Sequence, residues 1–209
     1  MSGWWIWAAA AVLYGAFSLW YNNWRGPLTK DEVETYIGRL TRNPQVTPER
    51  LDAVRRFLES DDGREFYMVN LIATFKEPVE MPGTGEKKTA REVLAKYTSY
   101  FMGELFKRAG HPAFAGPAAG GNVELWGIEE TPAWTFSGII RYRSRRDMAE
   151  LATDPRFESA HAYKIAAMAS TFAFPVAPAP AFLGPRLWVG LSIALLAALS
   201  QLGASVLTR

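Results

Sequence analysis

Two hydrophobic patterns divide the chain. At its ends apolar residues run without interruption by charge: residues 1–24 and 187–208 hold no Asp, Glu, Lys or Arg. Between them, apolar positions recur at helix or strand spacing. Asp31–Thr41 reads as a short amphipathic helix. Thr47 and Pro48 open a second, a capping residue followed by proline at the first helical position, with Leu51, Val54, Phe57 and Leu58 on one face. Asp61, Asp62 and Gly63 end it. Residues 25–62 therefore form a helical connector, which either links to the domain that follows or lies against a membrane.

The segment 63–176 carries the remaining elements. Glu65–Thr74 is apolar on both faces and rich in β-formers, which predicts a buried strand. Lys76–Lys88, with Pro78, Pro82, Gly83 and Gly85, is a loop. Thr89–Ala109 is a helix: Ala90, Val93, Leu94, Tyr97, Phe101 and Leu105 recur at three and four, and Gly110 supplies the stop. A Gly/Pro/Ala-rich loop runs on to Gly121, followed by strands at Asn122–Ile128 and Trp134–Tyr142. Ser144 and Asp147 have capping-box spacing for a helix to about Ala152, Asp154-Pro155 opens another to about Met168, and Ser170–Val176 forms a last strand. The order β–α–β–β–α–β is the split βαβ arrangement of an α+β, ferredoxin-like fold. Helices cover one face of such a sheet. Pairing two sheets into a closed dimeric barrel covers the other. Pro175, Pro178, Pro180 and Pro185 stiffen 177–186 into an extended linker.

Each charge-free end is long enough to cross about 30 Å of hydrocarbon, which takes roughly 20 helical residues. Trp4, Trp5 and Trp7 crowd one end of the first stretch and Trp20, Tyr21 and Trp24 the other, as interfacial belts do; Arg186 and Arg209 bracket the second. The first stretch lacks the basic start of a signal peptide. The expectation is two transmembrane helices, 1–24 and 187–208, with the lipid bilayer as partner. Small residues four apart, Ala11 with Gly15 and Gly190 with Ala194 and Ala198, allow close helix approach, and Gln201 offers a hydrogen bond between helices. Arg25, Lys30, Arg39 and Arg42 after the first span and Arg186 before the second put the central domain on the cytoplasmic side, with Arg209 partly opposing.

Charge narrows the function classes. From Arg25 to Arg186 the chain carries 22 basic and 21 acidic residues with no basic block interleaved with aromatics, which argues against nucleic acid as a partner. The absence of cysteine removes disulfides and thiolate metal sites. No His/Asp/Glu group has ligand spacing, so no metal is expected, and the residues require no cofactor.

Particular stretches resemble a known family. Met68–Leu71 (MVNL), the helix with Tyr97 and Tyr100, Gly120–Gly127 (GGNVELWG), Arg141–Phe157 (RYRSRRDMAELATDPRF) and His161–Met168 (HAYKIAAM) resemble the dimeric α/β-barrel superfamily, in particular its small bacterial domains of unknown function. Arg143 stands where that pattern has proline. The likeness spans about 65–176 and does not cover the charge-free ends or the connector helices; it implies a dimer of bacterial origin, and the two expected spans then place the protein in the inner membrane. Better-known relatives in the superfamily are cofactor-independent quinol-type monooxygenases and haem-degrading enzymes. The latter use an Asn, a Trp and a His, which singles out Asn70, Trp134 and His161. Shared fold does not transfer that chemistry.

Several residues are candidates for a site. Asn70 is polar within an otherwise apolar strand, so its amide either orients a ligand or satisfies neighbouring backbone. His111 follows the long helix and His161 lies on the last one; either suits a base or a ligand. Tyr97, Tyr100, Trp126 and Arg141 either line a cleft between sheet and long helix or belong to the core. Glu124 and Arg141 fall on consecutive predicted strands and suit a cross-strand ion pair. Two functions follow. One is a structural or interaction subunit of a membrane complex or homo-oligomer. The other is a membrane-bound enzyme or sensor for a small hydrophobic molecule, quinone- or haem-related. The first is favoured because no acid–base pair is assembled by the sequence.

Overall fold

A computed structural model describes residues 3–43, 46–179 and 184–207; Pro180 of the predicted linker and the flanking Arg209 lie outside these. In chain order the elements are α1 (Trp4–Tyr21), α2 (Lys30–Leu40), α3 (Pro48–Glu59), β1 (Phe66–Thr74), β2 (Val79–Glu80), β3 (Lys87–Lys88), α4 (Ala90–Lys107), β4 (His111–Pro117), β5 (Phe136–Tyr142), α5 (Arg145–Ala152), α6 (Pro155–Ala167), β6 (Met168–Val176) and α7 (Pro185–Leu207). They form two compact units, 1–24 with 178–209, and Arg25–Ala177.

Local chemistry sets the helix starts of the larger unit. Thr29 caps α2 and Thr89 caps α4, each in a reciprocal capping box with the glutamate three residues on, Glu32 and Glu92. Thr47, Ser144 and Asp154 cap α3, α5 and α6, satisfying backbone N–H groups that a first turn leaves free. The four-stranded sheet has the order β4-β5-β1-β6 with every neighbour antiparallel. The fold is mixed α+β and compatible with the ferredoxin-like arrangement. β2 and β3 pair into a small separate ribbon within the segment expected to be a loop.

One strand differs from expectation. Asn122–Ile128 is irregular, and His111–Pro117, expected as loop, forms β4. HPAFAGP has no β-branched residue. It becomes a strand because β5 supplies hydrogen bonds along its length, from His111 opposite Arg141 to Pro117 opposite Phe136. It lies at the sheet edge, where its two prolines are tolerated.

On the helix side of the sheet, Phe66 and Tyr142 form a core with Leu105, Leu151 and Phe157, joined by Met68 and Ile140. Phe66 stacks on Tyr142 at 5.2 Å and meets Phe57 edge-on at 5.1 Å. Burial of each such side chain contributes about 1.5–3 kcal/mol. The connector helices are part of this unit. Val33, Tyr36, Ile37 and Leu58 pack with Ala149 of α5. Arg146, itself buried, donates from Nε and Nη2 to Glu32 at 2.8 and 2.9 Å, from Nη1 to the Gly26 carbonyl at 3.0 Å and from Nη2 to the Pro27 carbonyl at 2.9 Å. The Arg146 hydrogen bond holds the Glu32 carboxyl down to about 2. Gly63 has φ +74°, and a Cβ there would sit 2.8 Å from the Pro27 nitrogen, so only glycine permits this approach.

In the smaller unit α1 and α7 pack antiparallel. Trp7 Nε1 donates to Gln201 Oε1 at 2.5 Å near one end; near the other, Tyr14 Oη donates to the Arg186 carbonyl at 3.2 Å and Arg186 Nε to Asn22 Oδ1 at 2.6 Å. Among the described residues one helix is long and apolar enough to cross a membrane, α7 over Pro185–Val206, with mean hydropathy 1.8 and 6% of its apolar window buried. The expected first span is not evident by that measure: α1 has 18 residues, and its four tryptophans and two tyrosines lower its hydropathy.

The packing seam of α1 and α7 takes in part of the small-residue rows. Gly190 lies against Tyr14, where a Cβ would stand 3.2 Å from the ring. Ala197 is buried, whereas Ala194 is exposed and Ala198 half-buried; Ala11 is exposed and Gly15 has no side chain near it. A strict four-residue step turns about 40° away from a contact line on each repeat of a 3.6-residue helix, so the contact moves to Ala197 and Gln201.

Candidate functional site

The register of the sheet defines a second face, opposite the helices. Phe114, Ile139, Val69 and Phe174 lie in one row across β4, β5, β1 and β6; Gly116, Ser137, Leu71 and Phe172 lie in the next. Tyr67 and Val176 continue the apolar band. Phe114 is 57% exposed, Phe172 54% and Phe174 40%, while Val69, Leu71 and Ile139 are half-buried. A contiguous apolar face of this kind marks an interaction surface. A second apolar exposure lies in the irregular segment before β5, where Val123, Leu125, Trp126 and Ile128 project from the unit.

The candidate residues fall in separate places. Arg141 is fully buried, not cleft-lining: its Nε and Nη2 donate to Glu65 Oε2 at 2.8 and 2.6 Å and its Nη1 to the Ala109 carbonyl at 2.6 Å. Glu65, not Glu124, is thus its ion-pair partner, since Glu124 lies in the irregular segment, exposed. Ala109 holds φ +55°, a left-handed turn out of α4 that aims its carbonyl at the guanidinium. The Asn70 amide donates to the Met68 and Gly138 carbonyls at 2.9 and 3.3 Å, satisfying strand backbone. Trp126 is 89% exposed, away from the sheet–helix interior, and Trp134 precedes β5 outside the core clusters.

Tyr97, Tyr100 and His161 do meet. Tyr97 stacks on Phe101 at 5.6 Å, and the His161 ring stands edge-on to Tyr97 and Phe157 at 6.1 and 5.8 Å. Tyr100 packs on Phe157 at 6.1 Å with its hydroxyl buried and without a hydrogen-bond partner among the described residues. Burial pushes the Tyr97 hydroxyl well above its ordinary value, so it stays protonated and cannot act as a base. Burial first, then the charges of Lys164 and Arg50, draws His161 down to about 4, leaving it neutral near pH 7. His111 stands at the start of β4, in register with Arg141, its Nδ1 3.0 Å from the Pro112 carbonyl oxygen. Among the described residues no three His, Asp or Glu side chains converge as metal ligands would.

The fold and its open face define an α+β domain with one sheet surface uncovered by the described residues of its own unit. Solved structures share this fold. A protein of unknown function from Rhodopseudomonas palustris, determined as a structural genomics target, matches with TM-score 0.52 at 20% identity, over 65% of this chain and 95% of that one. A methylated form of that protein matches with TM-score 0.53 at 20% identity, over 66% and 95%. At this identity the likeness extends to fold alone, and about a third of the present chain lies outside it. No protein-family model and no curated protein matches the sequence.

Proposed function

We propose that this protein is a membrane-anchored interaction subunit whose central domain associates with a second copy through the free face of its sheet. The observation that carries the reading is the uncovered row Phe114–Ile139–Val69–Phe174. A two-fold axis through such a face sets like residues against like and needs no charge complementarity, as in dimeric α/β barrels. Two charge-free helices that pair with each other, bonded through Trp7 and Gln201, support a two-pass anchor in a bacterial inner membrane, with the domain on the cytoplasmic side. An enzyme or sensor for a quinone- or haem-like molecule would need Asn70, Tyr97 and a histidine around one cleft. The Asn70 amide is instead engaged with strand backbone.

The test is the mass of the full chain in mild non-ionic detergent, by light scattering with the detergent contribution subtracted. A dimer is expected, and Phe174→Lys should convert it to monomer without loss of secondary structure. A wild-type monomer, or a dimer indifferent to Phe174→Lys, refutes association through this face. Membrane fractions washed with alkaline carbonate should retain the protein.

A further inference from the structure

At the end of the sheet, a cleft of about 420 Å³ forms where α6 passes into β6. Its walls are Arg50 from α3, His161, Lys164 and Ile165 from α6, and the opening residues of β6, including Met168 and Ser170. Among the described residues no acidic side chain lines it. The arginines around the end of β5 and the start of α5 differ: Arg141, Arg143, Arg145 and Arg146 each face a carboxylate, Glu65, Asp147, Asp61 and Glu32. Lys164 has instead the face of Tyr97, 5.6 Å from its Nζ, and among the described residues neither it nor Arg50 forms an ion pair.

Desolvation opposes leaving a cation without counter-charge. Burial, reinforced by Arg50, draws Lys164 down to about 8, so it stays largely protonated near neutrality while His161 is neutral. Two positive charges on different elements therefore converge on one cleft, Ser170 shares its wall, and Ile165 and Met168 supply apolar surface. A bound anion relieves the repulsion and gains charge-assisted hydrogen bonds.

We propose that this cleft binds a small amphiphilic anion, with its phosphate or carboxylate held by Lys164, Arg50 and Ser170 and its apolar part against Ile165 and Met168. This goes beyond the interaction reading and is independent of it.

The test uses the full chain in discs of zwitterionic lipid, with phenyl phosphate and benzoate as probes and benzyl alcohol as the neutral control, followed by calorimetry at pH 7. Both anions should bind and the alcohol should not. Lys164→Met and Arg50→Gln should each weaken binding about tenfold or more, the loss of one charge-assisted hydrogen bond, while Lys164→Arg retains it. Affinity should also fall as pH rises through about 8, because the groups facing the Lys164 amine are Arg50 from α3, neutral His161 beside it and Tyr97 from α4, none of which replaces the lost charge. A second measurement needs no variant: phenyl phosphate should protect Lys164 from amine acylation, read by mass spectrometry. Competition from added anionic lipid assigns the head group to a lipid, and its absence assigns it to a soluble molecule; either supports the site. Equal binding of benzyl alcohol, no protection of Lys164, or affinity unchanged in both charge-removing variants overturns the proposal.

Discussion

The buried Arg141 clamp yields the sharpest energetic test. Its guanidinium has no exposed surface, and the Glu65 side chain is 17% exposed. Glu65→Gln keeps the shape and one acceptor oxygen but removes the charge that compensates a cation fully inside the domain. Breaking a buried pair in this way costs about 3–5 kcal/mol. Arg141→Met does something different. Glu65, part exposed, can turn to water, and the penalty includes the Ala109 carbonyl left without this donor, about 1–3 kcal/mol, offset in part by the apolar side chain. The pair is therefore asymmetric, with Glu65→Gln the worse substitution. Hydrogen exchange of the β5 peptide in the full chain, read by mass spectrometry, measures this at the strand that carries Arg141. Glu65→Gln should accelerate exchange by roughly two to three-and-a-half orders of magnitude, Arg141→Met by clearly less, and the double variant should fall below the sum of the two. Equal effects, or a Glu65→Gln cost below about 1 kcal/mol, would show that water reaches the guanidinium and that the burial argument is mistaken.

Two further outcomes follow from particular contacts. Glu32 titrates at about 2 instead of the ordinary 4.5, so its contribution is complete above pH 4.5 and is lost as pH falls from there toward 2. Thermal melts across that window should show a smaller acid-induced drop for Glu32→Gln than for wild type, and matching drops would separate Glu32 from the acid response. In the helix pair, Gly190→Leu drives side-chain atoms into Tyr14 and should lower the SDS concentration that separates α1 from α7, read by tryptophan fluorescence. Ala194→Leu, at an exposed position, should not; equal sensitivity of the two would place the seam elsewhere.

Residues that act through near neighbours were legible from the chain. Thr47, Ser144 and Asp154 cap helices because the N–H groups they satisfy lie two or three residues on, and the apolar positions of α4 repeat at the period that the helix itself imposes. That Glu65–Thr74 holds a strand followed from its composition, although only Phe66 and Ala73 of β1 are buried because one face of the sheet lies open, and the charge-free ends followed from a simple count. Tertiary structure decided what depends on partners far along the chain. HPAFAGP is a strand because β5 lies beside it, while NVELWGI, a better strand by propensity, pairs with no strand among the described residues and is irregular. Arg141 meets a carboxylate 76 residues away, and the cleft cations come from α3 and α6, separated by more than a hundred positions. No local period encodes such meetings. The same holds for the seam between α1 and α7, where the turn of each helix, and not a four-residue repeat, sets which small residue is covered.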